Sequence, residues 1–278
     1  MLQLPTGKVF NLKKFLLRTR RFFYTKEYSW NNAEQELQRR LREPLYLEQF
    51  GYKIYSQNDE DGIIEEIFNR IGTTSKKFIE FGVQDGLESN GHFLLHKGWQ
   101  GLWIEGSKGY CSKIRKLFKK PLEQKQLVLA NAFITAENIN EIISGNFAEQ
   151  QIDLLCIDID GNDYHVWNVI KCVSPRVVVV EYNSVFPPKH EWIMPYNANH
   201  VWDKSDYMGA SLKSFEILGK TLGYQLVGTN LNGVNAFFVK KDLAKDLFVL
   251  PASAENLYNP ARYDIVYRTR FASNTYIG

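Results

Sequence analysis

Features that mark secreted, metal-cluster and membrane-spanning proteins are scarce in this sequence. Its 278 residues include three cysteines, which lie far apart and lack the spacing of a zinc site: Cys111, Cys156 and Cys172. Because an odd and sparse set of this kind is typical of reduced thiols, we expect a cytoplasmic protein. No stretch reaches the roughly 18–20 apolar residues that a membrane-spanning helix needs. Lys13, Lys14 and Arg18 interrupt what would be the apolar core of a signal peptide.

Acidic residues are absent from the first 26 positions, which carry seven lysines and arginines. The whole chain has a formal net charge of only +3, so we do not expect nucleic acid as a partner. We divide the chain into a basic N-terminal arm at 1–45, an α/β domain at 46–245 and a C-terminal extension at 246–278. In one interpretation, residues 1–26 of the arm contact a membrane surface or a partner as an amphipathic helix. In the other, the arm packs on the main domain. The arm also offers a surface for forming an oligomer.

Most of the chain alternates short apolar runs with amphipathic segments. A helix is predicted from Ser56 to Gly72, and five apolar strands follow at 77–82, 101–105, 126–130, 152–158 and 176–181. Apolar strands separated by helices are typical of a parallel sheet covered on both faces, which right-handed crossovers make doubly wound and Rossmann-like. Asn232-Gly233 predicts a hairpin between 224–229 and 234–240. The mostly parallel sheet should therefore finish with an antiparallel hairpin strand.

Polar residues follow the predicted strands where each one ends. The carboxyl ends of parallel strands meet at one edge of the sheet, and ligands bind there. Four of the five ends carry an acid: Glu80, Glu105, Asp158 with Asp160, and Glu181. Gly82 and Gly86 would let a ligand approach the backbone, and an acid that closes a second strand is where ribose hydroxyls are held. The pattern predicts a nucleoside-type cofactor. A Gly-x-x-x-x-Gly-Lys loop is missing, which disfavours phosphoryl transfer on a P-loop.

Three segments together resemble the successive motifs of class I S-adenosylmethionine-dependent methyltransferases. They are Lys77–Gly86, Gly101–Glu105 and Ile152–Asp158. The closing hairpin is similar to the terminal strands of that fold. Ser56–Asp61 and Asp158–Asp163 resemble the FkbM-type branch, which acts largely on oxygens of sugars and secondary metabolites. The likeness covers about 55–240 and implies S-adenosylmethionine as the cofactor.

The resemblance also implies roles for individual positions. Glu105 matches the acid that holds the ribose, Asn131 a position that contacts adenine, and Asp158 the acid that faces the sulfonium and the acceptor. The full set of implied cofactor contacts is Glu80, Gly82, Asp85, Gly86, Glu105, Asn131 and Asp158. One departure is Gln84, which stands where the family has a middle glycine. We therefore expect a wider loop or a displaced cofactor.

Asp158, Asp160, Asp163 and Glu181 should lie close together at one edge of the sheet. Like charges in such a cluster repel unless a proton or a cation intervenes. Three interpretations remain open. In the first, Mg²⁺ or another divalent cation clamps an acceptor hydroxyl and lowers its pKa, held by Asp158, Asp160, Glu181 and Asn183. In the second, the site works without metal and uses His165 or Asp160 as general base beside Asp158. In the third, the tract turns the chain, and Asn162 or Asp163 caps the next helix.

A long aromatic loop at 182–209 separates the fifth strand from the last helix before the hairpin. Loops of this length in a folded domain are usually functional, and its aromatic content argues against disorder. The rings would stack on sugar faces or form an apolar lid. We predict that four of them contact the acceptor, namely Tyr182, Trp192, Tyr196 and Trp202. His92 and His96 have the spacing of zinc ligands, but without a third ligand nearby we interpret them as a surface or capping pair.

We therefore expect an enzyme, an O-methyltransferase that acts on a hydroxyl of a glycan, a sugar conjugate or a small metabolite. The alternative is a non-catalytic Rossmann-like protein that binds a nucleotide sugar or a glycan. A third hypothesis is a nicotinamide-dependent enzyme. The acid on the first strand and the terminal hairpin disfavour it.

Overall fold

The computed structural model describes residues 38–262 and confirms the doubly wound α/β sheet. Seven strands form it: β1 (Lys77–Phe81), β2 (Gln100–Glu105), β3 (Leu127–Asn131), β4 (Gln151–Ile157), β5 (Ser174–Glu181), β6 (Tyr224–Thr229) and β7 (Asn235–Lys240). Their order is β3-β2-β1-β4-β5-β7-β6. β7 is antiparallel to both neighbours, and the other pairings are parallel. The antiparallel strand is therefore inserted beside β5, and β6 forms the edge.

Nine α-helices are described in residues 38–262, after a short 3₁₀ turn at Glu48–Phe50. They are α1 (Glu60–Ile71), α2 (Asn90–His96), α3 (Lys108–Leu117), α4 (Lys119–Glu123), α5 (Ile139–Asn146), α6 (Asp163–Val169), α7 (Leu212–Thr221), α8 (Lys241–Ala244) and α9 (Ala254–Leu257). α3 begins at Lys108 because Ser107 caps it. The Ser107 hydroxyl accepts from the amide of Tyr110 at 3.3 Å, which satisfies a donor of the first turn.

The core lies in two layers, one on each face of the sheet. β5 shows this most clearly, because its four consecutive valines alternate between the layers. Val178 and Val180 pack on one side, Val177 and Val179 on the other, and all four are buried. A strand covered on both faces needs apolar residues at every position, which explains the continuous apolar run in the sequence.

The described parts of the two flanking segments pack on the sheet domain. Arg40 is buried in an ion pair with Glu48 at 3.1 Å and also donates to the carbonyl of Tyr258 at 3.2 Å. The predicted membrane or partner contact of residues 1–26 lies outside the described residues, as does 263–278. Between residues 38 and 262, no helix combines the length and the apolar character needed to cross a bilayer.

Candidate active site

A cleft of about 950 Å³ opens at the carboxyl ends of the parallel strands. Residues from four strand ends line it: Gly82 after β1, Glu105 at the end of β2, Asp158 after β4 and Glu181 at the end of β5. Residues between 200 and 208, from the long aromatic loop, form much of the outer wall. The cleft therefore lies at the edge where the sequence predicts a ligand.

The loop after β1 keeps a glycine-like backbone in spite of Gln84. Gly82 and Gln84 have φ values of +67° and +52°, both in the left-handed region. A Cβ on Gly82 would overlap the carbonyl oxygen of Asp158, so glycine is required there for packing alone. Gln84 thus occupies a conformation that usually favours glycine, and its amide donates to a carboxylate oxygen of Glu105 at 2.9 Å. The backbone conformation is retained although the glycine is not.

Glu105 lines the cleft and holds two loops together. One of its oxygens accepts from the amide of Gln84, and the other accepts from the amide of Ser107 at 2.7 Å. Burial raises the pKa of Glu105 above its ordinary value, while these backbone N–H groups lower it. The carboxylate is thus fixed where β1 and β2 end.

Glu80 is buried beneath the cleft rather than in its wall. Its oxygens accept from the amides of Asn90 and Gly91, at 2.7 and 2.8 Å, and from the indole of Trp103 at 3.0 Å. Burial raises the pKa of Glu80 to about 7. Glu80 lines a smaller cavity of about 40 Å³, large enough for water, which shares Gly82 and Asp158 with the main cleft. Its carboxylate is therefore engaged with α2 and β2.

Three further predicted cofactor contacts lie outside the lining of the cleft. Asp85 is 3.9 Å from the Lys113 ammonium, Gly86 adjoins the ring of Trp103, and the Asn131 side chain donates to the carbonyl of Glu105 at 2.8 Å. The cleft wall at the end of β3 consists instead of the next three residues, Ala132–Ile134. The apolar Phe133 in a strand-end loop is the signal from which this wall could have been predicted.

Three acids of the predicted tract converge at the other end of the cleft. Asp158, Asp160 and Glu181 each offer a carboxylate oxygen, and these three oxygens lie within 4.8 Å of one another. Burial, followed by the charges of neighbouring aspartates, raises the pKa values of Asp158 and Glu181 well above their ordinary values. Burial also raises the pKa of Asp160. One oxygen of Glu181 is buried and accepts no hydrogen bond. A proton or a cation would offset the mutual repulsion of these acids.

The fourth acid, Asp163, has a structural role. Its two oxygens accept from the amides of Ile159 and Gly161, at 2.9 and 2.8 Å, and fix the turn that carries Asp160. Asp160 has a φ of +56°, which places it in the left-handed region. Burial raises the pKa of Asp163 to about 6. Holding the turn thus accounts for Asp163, whereas the N-cap residue of α6, Asn162, makes no side-chain capping bond. Asp158, Asp160 and Glu181 are left without such a role.

These three acids suit a hard divalent cation, because carboxylate oxygens are its preferred ligands and one of them is buried without a partner. Asn183, the fourth predicted ligand, does not line the cleft. Its amide nitrogen donates to the carbonyls of Asp206 and Met208, at 2.8 and 2.9 Å, and its oxygen accepts from the amide of Val185. Asn183 therefore holds the aromatic loop, and the three acids are the candidate ligands that the structure brings together.

Two histidines lie on opposite sides of the Asp160 turn, and the cleft is lined by His200 rather than by His165. The ring of His165 packs against Tyr196, and its Nε2 donates to the carbonyl of Met194 at 2.7 Å. The Nε2 of His200 donates to the carbonyl of Asp160 at 3.0 Å. This bond leaves Nδ1 of a neutral His200 as the ring atom that can accept a proton.

His200 also explains the glycine in the acidic turn. A Cβ on Gly161 would overlap the His200 ring, so the close approach of the ring requires glycine there. His200 was not among the site residues predicted from the sequence. The glycine beside the aspartates was the available signal.

Of the four predicted acceptor aromatics, Trp202 lines the cleft. Tyr182 is buried and donates to the carbonyl of Asn259 at 2.6 Å. Trp192 stacks on Phe186 with ring centroids 4.5 Å apart. The Tyr196 hydroxyl donates to Glu137 at 2.5 Å. These three rings therefore contact other parts of the protein and do not line the cleft.

The segment before α1 covers the inner end of the cleft. Gln57 and Asn58 line the cleft, and Gln57 also lines the smaller cavity. Asp61 holds this segment, because one of its oxygens accepts from the amides of Ile54, Tyr55 and Ser56 at 2.6–2.9 Å. The ring of Tyr55 stacks at 3.8 Å on the ring of His92 and at 5.1 Å on that of His96. The two histidines therefore support the covering segment.

Glu60 ties the same segment to the hairpin. One of its oxygens accepts from the side chains of Asn230 and Asn235, both at 2.8 Å. Asn235 lies opposite Glu181 in the β5–β7 register. The segment that precedes the sheet is thus joined through β7 to the strand that carries one of the clustered acids.

Comparisons with known proteins give only a distant likeness. No protein-family model matches the chain, and no curated protein matches its sequence. One similar solved structure is an O-methyltransferase from Bacillus cereus in complex with SAH, with 13% identity, a TM-score of 0.43, and coverage of 76% of this chain and 90% of that chain. The N-terminal domain of EvdMO1 with SAH bound has 12% identity, a TM-score of 0.43, and coverage of 74% and 94%. The glycopeptide N-methyltransferase MtfA complexed with SAH has 12% identity, a TM-score of 0.39, and coverage of 64% and 86%.

Proposed function

We propose that this protein is an S-adenosylmethionine-dependent O-methyltransferase whose acceptor is a hydroxyl of a glycan, a sugar conjugate or a small metabolite. The observation that carries the proposal is the charge of the cleft. Among the described residues that line it, Lys204 is the single lysine or arginine, whereas five are acidic. The five acids are Glu105, Asp158, Asp160, Glu181 and Asp206. A cleft of this charge favours a cationic ligand such as a sulfonium and disfavours a diphosphate.

The cofactor side of the cleft would be the end formed by β1, β2 and the loop after β3. Glu105 is suited to ribose hydroxyls, because its carboxylate is held by the backbone where the second strand ends. The exposed ring of Phe133 offers an apolar face for a base. Gly82 lets a ligand approach the backbone. The Ser56–Asp61 segment, which covers the inner end, is the feature that favours the FkbM-type branch.

The acceptor side would be the acidic end. When bound, S-adenosylmethionine supplies an electrophilic methyl group on a positively charged sulfur. Asp160 and the Nδ1 of His200 are the groups on this side that are suited to accept the hydroxyl proton. The loop residues around Trp202 would position the acceptor and exclude water. Alignment of the acceptor oxygen with the methyl group would supply much of the rate acceleration.

A divalent cation such as Mg²⁺ fits the same end of the cleft, held by Asp158, Asp160 and Glu181. It would neutralise their mutual repulsion and lower the pKa of an acceptor hydroxyl bound to it. Mn²⁺ binding, followed by electron paramagnetic resonance, tests this directly. We expect binding by the intact chain and its loss in Asp160→Asn, with Asp203→Asn as the control. Transfer activity that survives strong chelation would count against the metal.

Calorimetry tests the cofactor. We expect the intact chain to bind S-adenosylmethionine with micromolar affinity, and we expect Glu105→Gln to weaken that binding by about tenfold, since it removes one charge-assisted acceptor. Glu123→Gln, on the exposed face of α4, is the matched control and should bind as the parent does. A nucleoside diphosphate sugar should not bind. If the diphosphate sugar binds and S-adenosylmethionine does not, the protein is the non-catalytic binder instead.

A further inference from the structure

Large apolar side chains on the described surface gather at the mouth of the cleft. Among residues 38–262, nine large hydrophobic side chains are exposed, and four of these line the cleft. A fifth, Leu117, lies seven positions beyond Tyr110 on α3. We name these five the apolar rim, and they are between 36% and 73% exposed: Tyr110, Leu117, Phe133, Val201 and Trp202. An exposed apolar patch of this kind marks an interaction surface.

A strongly basic surface adjoins the apolar rim. Residues 108–120, which span α3 and the start of α4, contain six lysines and arginines and no acid. All six are exposed, and we name them the basic face: Lys108, Lys113, Arg115, Lys116, Lys119 and Lys120. Lys113 and Lys119 have carboxylates at 3.9 and 3.7 Å, which are long contacts between exposed groups. Such pairs neutralise little of the charge.

The rim and the basic face share the outer side of one helix. Tyr110, Lys113 and Leu117 lie at i, i+3 and i+7 on α3 and are exposed, whereas Cys111 and Ile114 are buried. The Lys113 ammonium is 5.3 Å from the centre of the Tyr110 ring. α3 therefore presents apolar and basic groups together, beginning at the mouth of the cleft.

We propose that this face docks on a lipid bilayer that contains anionic lipid, with the mouth of the cleft at the headgroup layer. Exposed apolar side chains flanked by cations are typical of surfaces that lie in the bilayer interface, where tryptophan is favoured. A polyanion such as nucleic acid fits less well, because it accounts for the basic face but leaves the aliphatic members of the apolar rim, Leu117 and Val201, exposed to water. The proposed docking surface does not include residues 1–26, and it does not depend on which reaction the cleft performs.

Vesicle co-sedimentation of the full chain tests the proposal. We expect binding to vesicles of phosphatidylcholine with phosphatidylglycerol at low salt, little binding to phosphatidylcholine alone, and release as salt is added. The triple variant Lys113→Glu/Lys116→Glu/Lys120→Glu should bind more weakly by at least on the order of 100-fold, since the loss of each cation near an anionic surface alone costs about fivefold and the added glutamates are repelled. The matched control is Lys220→Glu/Lys241→Glu/Lys245→Glu, which makes the same charge change at exposed positions beside the opposite edge of the sheet. It should bind as the parent does.

Several results would overturn the proposal. The first is equal binding of the parent to both kinds of vesicle, and the second is unchanged vesicle binding by the basic-face variant. The third is an equal loss of vesicle binding in both triple variants, which would indicate that binding depends on net charge alone. Binding to single-stranded nucleic acid but not to vesicles would assign the face to a polyanion instead. Because none of these measurements includes S-adenosylmethionine, they remain informative if the proposed function fails. Thermal melting followed by circular dichroism establishes that each variant is folded.

Trp202 provides an independent readout of the apolar rim. It is exposed, whereas Trp192 is half-buried and Trp99, Trp103 and Trp167 are buried. Trp30 lies outside the described residues, so the comparison is made between proteins that both carry Trp30→Phe. Vesicles that contain brominated lipid should therefore quench its fluorescence on binding. We expect Trp202→Phe to lose most of this quenching and to remain bound. Quenching that persists unchanged in Trp202→Phe would show that the mouth of the cleft does not face the bilayer.

Discussion

The two ends of the cleft use carboxylates in opposite ways. At the end formed by β1 and β2, Glu80 and Glu105 accept hydrogen bonds from backbone amides on both of their oxygens. At the end formed by β4 and β5, Asp158 and Glu181 lie close together beside Asp160, and one oxygen of Glu181 is buried without a partner. The first end is complete without a ligand, and the second is not.

This difference separates positions that hold the fold from positions that need a ligand. Backbone N–H groups stabilise a buried carboxylate, so Glu80 and Glu105 fix the loops around them. Like charges without such donors favour protonation or a cation, and the folded protein retains them at a cost in stability. We therefore expect substitutions that disturb the loops of the first end to act mainly on folding, with Glu105 contributing to binding as well. Substitutions of the acids at the second end should act mainly on binding.

The largest expected effect is on folding and falls at the first end. Gly82→Ala should lower the free energy of unfolding by about 3–4 kcal/mol, because its Cβ would overlap the carbonyl of Asp158 and φ is +67°. Gly145→Ala is the matched control, since Gly145 lies in α5 with open space around it. It should leave stability unchanged or raise it by up to about 1 kcal/mol. Urea unfolding measures both, and a mild Gly82→Ala would contradict the packing requirement.

The next effect is on binding and falls at the second end. Asp158→Asn keeps the size of the side chain and removes its charge, so S-adenosylmethionine should bind roughly 10–100-fold more weakly. Stability should not fall, because burial already disfavours the charged form of Asp158. Asp203→Asn, in the aromatic loop, is the control and should bind as the parent does. If Asp158→Asn bound normally but unfolded easily, the division between the two ends would be wrong.

Much of the fold was predictable because β-strands and helices differ in the period of their apolar residues. The valines of β5 and the alternation of strands with helices predicted a parallel sheet, and Asn232-Gly233 predicted the hairpin. The sequence does not reveal that β7 enters between β5 and β6, because strand order depends on contacts between distant segments.

The strand ends in the cleft were predictable, but the direction of individual side chains was not. Strand ends must meet at one edge, so Asp158, Asp160 and Glu181 were expected together, as they are found. Tyr182 and His165 were assigned to the site because of their residue type and position. The structure turns them toward the carbonyls of Asn259 and Met194 instead. Such contacts depend on loops that carry no periodic signal.

A smaller effect should depend on pH and come from Glu181. Its folded pKa is raised, so the folded state binds more protons than the unfolded state, and stability falls as pH rises through that pKa. Without a cation, Glu181→Gln should therefore be about 1–2 kcal/mol more stable than the parent at pH 8. The gain should shrink as pH falls through the raised pKa of Glu181, because protonation then removes the charge from the folded parent. Urea unfolding at pH 8 and at pH 5, with EDTA present, measures it.

Glu255→Gln is the control of opposite sign for this prediction. Partial burial opposes ionisation of Glu255, but its hydrogen bonds and Lys213 lower its pKa overall. The substitution should therefore give no gain in stability at pH 8. A gain of equal size in both variants would mean that net charge, and not the incomplete end of the cleft, sets the pH dependence.

The smallest expected effect tests whether Gln84 matters as a side chain or as a backbone position. Its φ of +52° costs glutamine more than glycine, so Gln84→Gly should raise stability by no more than about 1 kcal/mol. Gln84→Ala keeps the Cβ and the strain but removes the amide. If the first end of the cleft is complete through its backbone, both variants should bind S-adenosylmethionine within about twofold of the parent, since the amide that donates to Glu105 is unchanged. A loss of binding in both would instead make the Gln84 side chain a ligand contact.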